Sequence, residues 1–195
     1  MLDTIISWVK RKILRDSRER WNYQYAKGQW DGLKDGYERE RQEMVKAFFI
    51  KYANGGSLLE IGAGDGILPE LVFQKQHYST YLGVDVADEV MAKANQRLGD
   101  DRHRFLFGDM NNWQIKEKFD VILFNECINY AKNFDKTWTE TLKSLNSGGV
   151  FIVSMHEHKR SPQIWAAFDC HFTILEEKLV QNEFSKWMVK VGKPK

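Results

Sequence analysis

Leu58-Leu59-Glu60-Ile61-Gly62-Ala63-Gly64-Asp65-Gly66 reads as a short apolar strand that runs into a glycine-rich turn and opens a helix. Glycine is required there because the backbone must reverse sharply and let a ligand approach where a Cβ would stand in the way. About 20 residues further on, Asp85 ends a second strand, where a carboxylate can accept hydrogen bonds from both hydroxyls of a ribose. Turn, strand and acid together describe a nucleoside site. A dinucleotide would rest its pyrophosphate on the helix N-terminus after G-x-G-x-x-G. The spacing here is G-x-G-x-G, and Glu60 and Asp65 bracket the turn. At ~4 Å and an effective dielectric of ~20, one misplaced unit charge is worth ~4 kcal/mol, enough to choose between ligands. The turn therefore favours a ligand without phosphate and with positive charge. An NAD-dependent oxidoreductase remains the competing reading, since the same strand, turn and acid would serve it.

Placing strand ends side by side takes a sheet, and the chain alternates accordingly. Residues 58–61 read as a strand, 67–76 as a helix, 81–85 as a strand and 88–98 as a helix. Residues 104–107, 119–124 and 149–155 are further strand runs, and 135–145 is a helix with Trp138, Leu142 and Leu145 on one face. Such alternation predicts an α/β, doubly wound, mostly parallel sheet covered on both faces. Ser161-Pro162 opens a short helix through Phe168. The runs 171–180 and 186–191 are joined by too few residues for a helical crossover, so they pair as an antiparallel hairpin.

Upstream, Met44, Val45, Phe48, Phe49 and Tyr52 recur at helical intervals until Asn54-Gly55-Gly56 stops the pattern. Before them, Trp21, Tyr23, Tyr25, Trp30 and Tyr37 form an irregular aromatic stretch that reads as a lid. Residues 1–54 are thus expected to be a helical and aromatic lid segment, and 55–195 the ligand-binding core, within one domain overall.

The 195 residues suit one domain, and 29 basic against 27 acidic side chains leave a formal charge of +2. That balance does not suit a chain whose main partner is a phosphate backbone, so nucleic acid is not expected. Cys127 and Cys170 lack the spacing of a disulfide framework or a zinc site, which fits a reducing cytoplasm. No apolar run reaches the ~18 residues that span a bilayer. Leu2, Ile5, Ile6, Val9 and Ile13 share a helical face beside Lys10, Arg11, Lys12 and Arg15. Such a helix packs on its own domain, or lets residues 1–20 dock on a membrane surface or a partner. In the docking case the chain is a non-catalytic nucleoside-binding module.

Taken together, the motifs resemble those of class I S-adenosylmethionine-dependent methyltransferases. The likeness rests on Glu60-x-Gly62-x-Gly64-x-Gly66, Asp85, Gly108-Asp109-Met110, Phe119-Asp120-Val121-Ile122 and Leu145-Asn146-Ser147-Gly148-Gly149, and covers roughly residues 55–191. The resemblance implies a Rossmann-like sheet of seven strands with an antiparallel last strand, and S-adenosyl-L-methionine over the strand carboxyl ends. It places Asp85 at the ribose, and Asp109 and Met110 at the adenine. Gly62 and Gly64 lie under the methionyl part, Glu60 lies near its ammonium, and Ala63, Val86 and Asn125 are also assigned to the cofactor. Arg39 or Arg41 is a candidate for its carboxylate.

Methyl transfer from a sulfonium is an in-line displacement in which alignment and exclusion of water do most of the work. A small-molecule acceptor enters at the carboxyl ends of the fourth and fifth strands, which deliver Asn125-Glu126-Cys127 with Tyr130, and Met155-His156-Glu157-His158. His156 is the candidate base for a hydroxyl acceptor, and Glu126 or Asn125 would orient an amine. His156 and His158 read as solvated loop histidines rather than ligands, so no metal is expected. The Asn/Asp-Pro-Pro-Tyr pattern for nucleobase amines is absent. Glu126 followed by Tyr130 is similar instead to the small-molecule or sugar methyltransferases of the nodulation-type branch. Methyl transfer to a hydroxyl or amine of a metabolite or glycan precursor is the implied activity.

Overall fold

The computed structural model describes residues 18–183 and 185–195, so the basic segment 2–14 and its docking reading lie outside the described residues. Strands β1 (Leu58–Ile61), β2 (Tyr81–Asp85), β3 (His103–Phe107), β4 (Phe119–Asn125), β5 (Leu145–His156), β6 (Phe172–Gln181) and β7 (Lys186–Pro194) join one sheet. It is seven-stranded, in the order β3-β2-β1-β4-β5-β7-β6. The first five strands run parallel, and β7 pairs antiparallel with both β5 and β6. The order reverses between β1 and β4, and at such a switch point the strand carboxyl ends open a crevice for ligands.

Side chains alternate across the sheet as the period of a strand requires. Leu58, Val121, Leu123, Val150 and Ile152 enter one core, with α2 (Arg39–Ala53) and α3 (Asp88–Leu98) packed over it. Leu59, Ile122, Phe124, Phe151 and Val153 enter the other, beneath α4 (Phe134–Leu142) and α5 (Ser161–His171). Trp138 anchors the second core, fully buried and edge-on to Phe124, Phe151, Phe168 and Phe172.

One expected helix is replaced by something shorter. Residues 67–76 form only a wide turn, Leu68–Val72, closed by the Phe73 N–H on Leu68 O. The wider turn brings Val72 and Phe73 inward, where Phe73 meets Phe49 edge to face and Tyr78 at a tilt, and the chain leaves through left-handed Gln74, Lys75 and His77. Helical periodicity in the sequence registered the inward side chains without the hydrogen-bond pattern. The aromatic stretch becomes α1 (Arg18–Ala26) and a single 3-10 turn, Asp31–Asp35. Asn22 Nδ2 donates to Asp88 Oδ1 at 2.7 Å and Arg18 lies 3.4 Å from Asp88 Oδ2, which ties α1 to the start of α3. In α2, by contrast, Val45, Phe48 and Phe49 are buried in the core. Among the described residues no helix is long and apolar enough to cross a membrane.

Replacing Trp138 by Ala leaves a cavity among four aromatic rings. Urea unfolding should show a loss of about 3–5 kcal/mol, and a loss under about 1 kcal/mol would contradict the packing role assigned to the indole.

Candidate functional site

A cavity of about 430 Å³ opens at the switch point, within the size range of small-molecule sites. Glu60, Gly62, Ala63, Gly64, Asp85, Val86, Asp109, Met110, Asn125, Glu126, Tyr130 and His156 all line it. The strands bring these residues together because each lies at or just past a strand's carboxyl end. Gly62 and Gly64 are both left-handed, with φ of +80° and +53°. A Cβ on Gly62 would stand 2.6 Å from Cys127 Cβ, so that glycine lets the turn close against the end of β4. A Cβ on Gly64 would stand 2.5 Å from the Tyr25 hydroxyl, so the open backbone there is covered by a side chain of α1.

Asp85 is half-buried at the end of β2, its Oδ2 accepting from the Gly64 N–H at 3.1 Å and its Oδ1 from the Ala87 N–H at 2.9 Å. Burial raises its carboxyl above the ordinary range, against those backbone donors. Each oxygen keeps a second acceptor site. Asp109 lines the cavity just past β3, and its Oδ1 accepts from both the backbone N–H and the side-chain amide of Asn111, so it caps the short turn Met110–Asn112.

Glu60 lines the cavity and is at the same time engaged by the protein. Its carboxylate is 1% exposed, and both oxygens already have protein partners: the Tyr81 hydroxyl donates to Oε2, and Asn125 Nδ2 donates to Oε1 at 2.6 Å. The Asn125 amide is thereby oriented, and its Oδ1 accepts from Arg41 Nη1 at 2.6 Å. Arg41 is 3% exposed; its Nε and Nη2 donate to Glu38 Oε2, and its Nη1 also reaches Ser154 Oγ at 3.0 Å. Glu60 and Asn125 thus first serve one buried chain of hydrogen bonds, whatever else they touch. Burial pushes the Glu60 carboxyl up to about 7, partly opposed by Tyr81, Asn125 and Arg41. The other bracketing acid, Asp65, is paired with Lys34 at 2.6 Å, so its charge at the turn is largely cancelled. A free pair of acids at the turn is therefore corrected to one buried carboxyl and one ion pair.

Glu126 follows β4 in a left-handed conformation, φ +56°, which turns its carboxylate back toward β5. Oε1 accepts from Ser154 Oγ at 3.0 Å, Oε2 accepts from the His156 N–H at 2.9 Å, and Arg41 stands 3.7 Å away. Burial raises this carboxyl too, with Arg41 opposing. Trp21, Tyr25 and Trp30 cover the cavity, whereas Tyr37 is 42% exposed and does not line it. Arg41 lines the cavity, while Arg39 pairs with Glu43 on the helix surface.

Glu38 and Ser154 are not among the residues the sequence offers for the site, whereas His158 is offered at the end of the fifth strand. His158 lines the cavity, with Nδ1 accepting from the Arg160 N–H, which leaves the ring proton on Nε2. A carboxylate three residues ahead of an arginine at a helix start is the one signal in the sequence for Glu38; nothing in the sequence distinguishes Ser154.

The value raised at Glu60 has a sign that can be measured. Folding favours its protonated form, so the stabilising contribution is complete below about pH 4.5 and lost as pH rises through about 7. The stability of the wild type relative to Glu60→Gln should fall by roughly 3 kcal/mol across that window in urea titrations. A difference that stays flat with pH would place the buried proton elsewhere.

Residues 59–151 match the family model of a methyltransferase domain. A malonyl-(acyl-carrier protein) O-methyltransferase of Bacillus cereus is 26% identical over 160 residues, 77% of this chain and 57% of that protein. A trans-aconitate 2-methyltransferase of Rhodopseudomonas palustris is 26% identical over 136 residues, 68% of this chain and 52% of that protein. The chain spans about half the length of such curated relatives. Among solved structures, N-methyltransferase NodS from Bradyrhizobium japonicum, in complex with S-adenosyl-L-homocysteine, superposes with a TM-score of 0.70 at 17% identity, covering 80% of this chain and 87% of that one. A TehB-like methyltransferase from Corynebacterium glutamicum gives 0.68 at 17% identity, covering 91% of this chain and 100% of that one. The matched segment carries the glycine turn and Asp85 at the crevice of a sheet whose fold these solved methyltransferases share.

Proposed function

We propose that the chain transfers a methyl group from S-adenosylmethionine to a hydroxyl or amine of a small molecule, either a metabolite or a glycan precursor. The observation that carries this reading is the Asp85 carboxylate, anchored by two backbone N–H groups at the glycine turn and sharing one cavity with Glu126 and His156. The residues present fit the donor. Asp85 keeps acceptor capacity for two ribose hydroxyls, Asp109 and Met110 line the adjoining wall, and Ile61, Val84 and Leu68 supply apolar surface. When bound, S-adenosylmethionine supplies a methyl group carried on a cationic sulfur.

The chain's own groups then position and exclude. Trp21, Tyr25 and Trp30 cover the cavity, which keeps water from competing with the acceptor. His156 is exposed at the end of β5 with its N–H held by Glu126, and its imidazole can take the proton of a hydroxyl acceptor. Glu126 and Tyr130 border the same space and can orient a polar acceptor. The malonyl-(acyl-carrier protein) relative, named an O-methyltransferase, supports an oxygen acceptor as the second reading.

Calorimetric titration tests the proposal. S-adenosylhomocysteine should bind and NAD should not, and the reverse result ends the methyl-transfer reading in favour of an oxidoreductase. Asp85→Ala should weaken S-adenosylhomocysteine binding by about 10- to 100-fold, the value of a charge-assisted hydrogen bond or two. Unchanged affinity would remove Asp85 from the ribose.

A further inference from the structure

We propose that the acceptor is an amine that enters as its ammonium ion and is held by the Glu126 carboxylate beside the aromatic wall of Trp21, Trp30 and Tyr130. The inference rests on the methyl-transfer reading and narrows it to one acceptor chemistry.

Charge is the first argument. At the carboxyl ends of β4 and β5, the cavity is lined by the carboxylates of Glu38 and Glu126 and by the Arg41 guanidinium. Arg41 is committed to the protein, with Nε and Nη2 on Glu38, and Nη1 on Asn125 and Ser154. Glu38 neutralises it at contact distance, whereas Glu126 stands further off, at 3.7 Å. Two carboxylates facing one guanidinium leave an excess of negative charge, which an ammonium complements and a carboxylate acceptor would add to. Each Glu126 oxygen receives one hydrogen bond from β5 and retains a second acceptor site.

The aromatic wall is the second argument. Trp21 and Trp30 stack with centroids 5.8 Å apart, and Tyr130 stands edge-on to Trp21 at 4.8 Å. Ring faces attract ammonium groups and their apolar stems, more strongly as water is excluded. Trp21 already takes a cation in this structure, since the Arg20 guanidinium lies 5.7 Å from its ring centroid. A neutral hydroxyl acceptor would use neither the excess charge nor the ring faces.

The proton balance closes on the same residue. Glu126 accepts one proton from the ammonium, which frees the nitrogen lone pair. That pair forms the new nitrogen–carbon bond as the carbon–sulfur bond of the donor breaks with its electrons left on sulfur. The methylated amine departs as a cation, and Glu126 returns its proton to solvent. A carboxyl raised by burial and opposed by Arg41 suits a group that must bind the ammonium and also take its proton.

The test uses three probes of one carbon skeleton: phenethylamine, 2-phenylethanol and phenylacetate. Each is titrated calorimetrically into the full chain saturated with S-adenosylhomocysteine, and each is assayed for methyl uptake from labelled S-adenosylmethionine. The amine should bind at least about tenfold more tightly than the other two and take up label, and Glu126→Gln should erase the preference while S-adenosylhomocysteine affinity stays within about twofold. Preference for the alcohol or the acid, no preference at all, or an amine preference that survives Glu126→Gln overturns the amine assignment. Methyl transfer still stands in those cases, provided S-adenosylhomocysteine binds; failure of that binding brings down the underlying reading instead. Should Glu126→Gln not fold, the selectivity of the unaltered chain decides alone.

Discussion

A carboxyl group buried beneath a backbone turn is an awkward thing for a protein to keep, because burial without partners costs several kcal/mol. Glu60 is kept at 1% exposure by a hydrogen bond from Tyr81 on the neighbouring strand and another from Asn125 on the strand opposite. Asn125 presents its oxygen to Arg41, and Arg41 is in turn satisfied by Glu38 and Ser154. This sequence of contacts links β2, β1, β4, α2 and β5 at the one edge of the sheet where the crevice opens. The glycine turn, the reversal after β4 and the end of β5 therefore share a single polar support. Half-satisfied, such a network is costly; fully satisfied, it specifies one arrangement of the strand ends.

Electrostatics at the turn follow from that support rather than from a count of acids. Glu60 is raised by burial, and Asp65 is matched by Lys34. Asp85 and Glu126 both keep acceptor capacity toward the cavity, one on each side of the switch point. In the proposed function, that separation along the sheet sets the methyl donor apart from its acceptor.

Much of this was legible beforehand because it depends on local pattern. Continuous apolar runs marked the parallel strands, the interval from Gly62 to Asp85 marked the first crossover, and the five-residue gap before Lys186 marked the hairpin. The segment 67–76 misled because Leu68, Val72 and Phe73 point inward at intervals that both a helix and a single wide turn can satisfy. Arg41 was considered for a ligand's carboxylate, yet its partners lie 84 and 113 residues away, at Asn125 and Ser154. No local rule reports such contacts. Likewise the pairing of Lys34 with Asp65 joins two segments whose proximity only the folded sheet establishes.

The cover over the crevice is fastened differently from the floor. Asn22 and Arg18 hold it to Asp88, and Lys34 holds it to Asp65, all through partly exposed groups. Contacts of this kind are weak and are screened by dissolved salt within a Debye length of about 8 Å at physiological strength. The interior chain from Glu60 to Arg41 is shielded from those ions. If the chain acts as proposed, ionic strength is a handle on how quickly molecules enter and depart, while the geometry underneath is insulated from it, so that traffic through the doorway and chemistry on the floor become separable tempos.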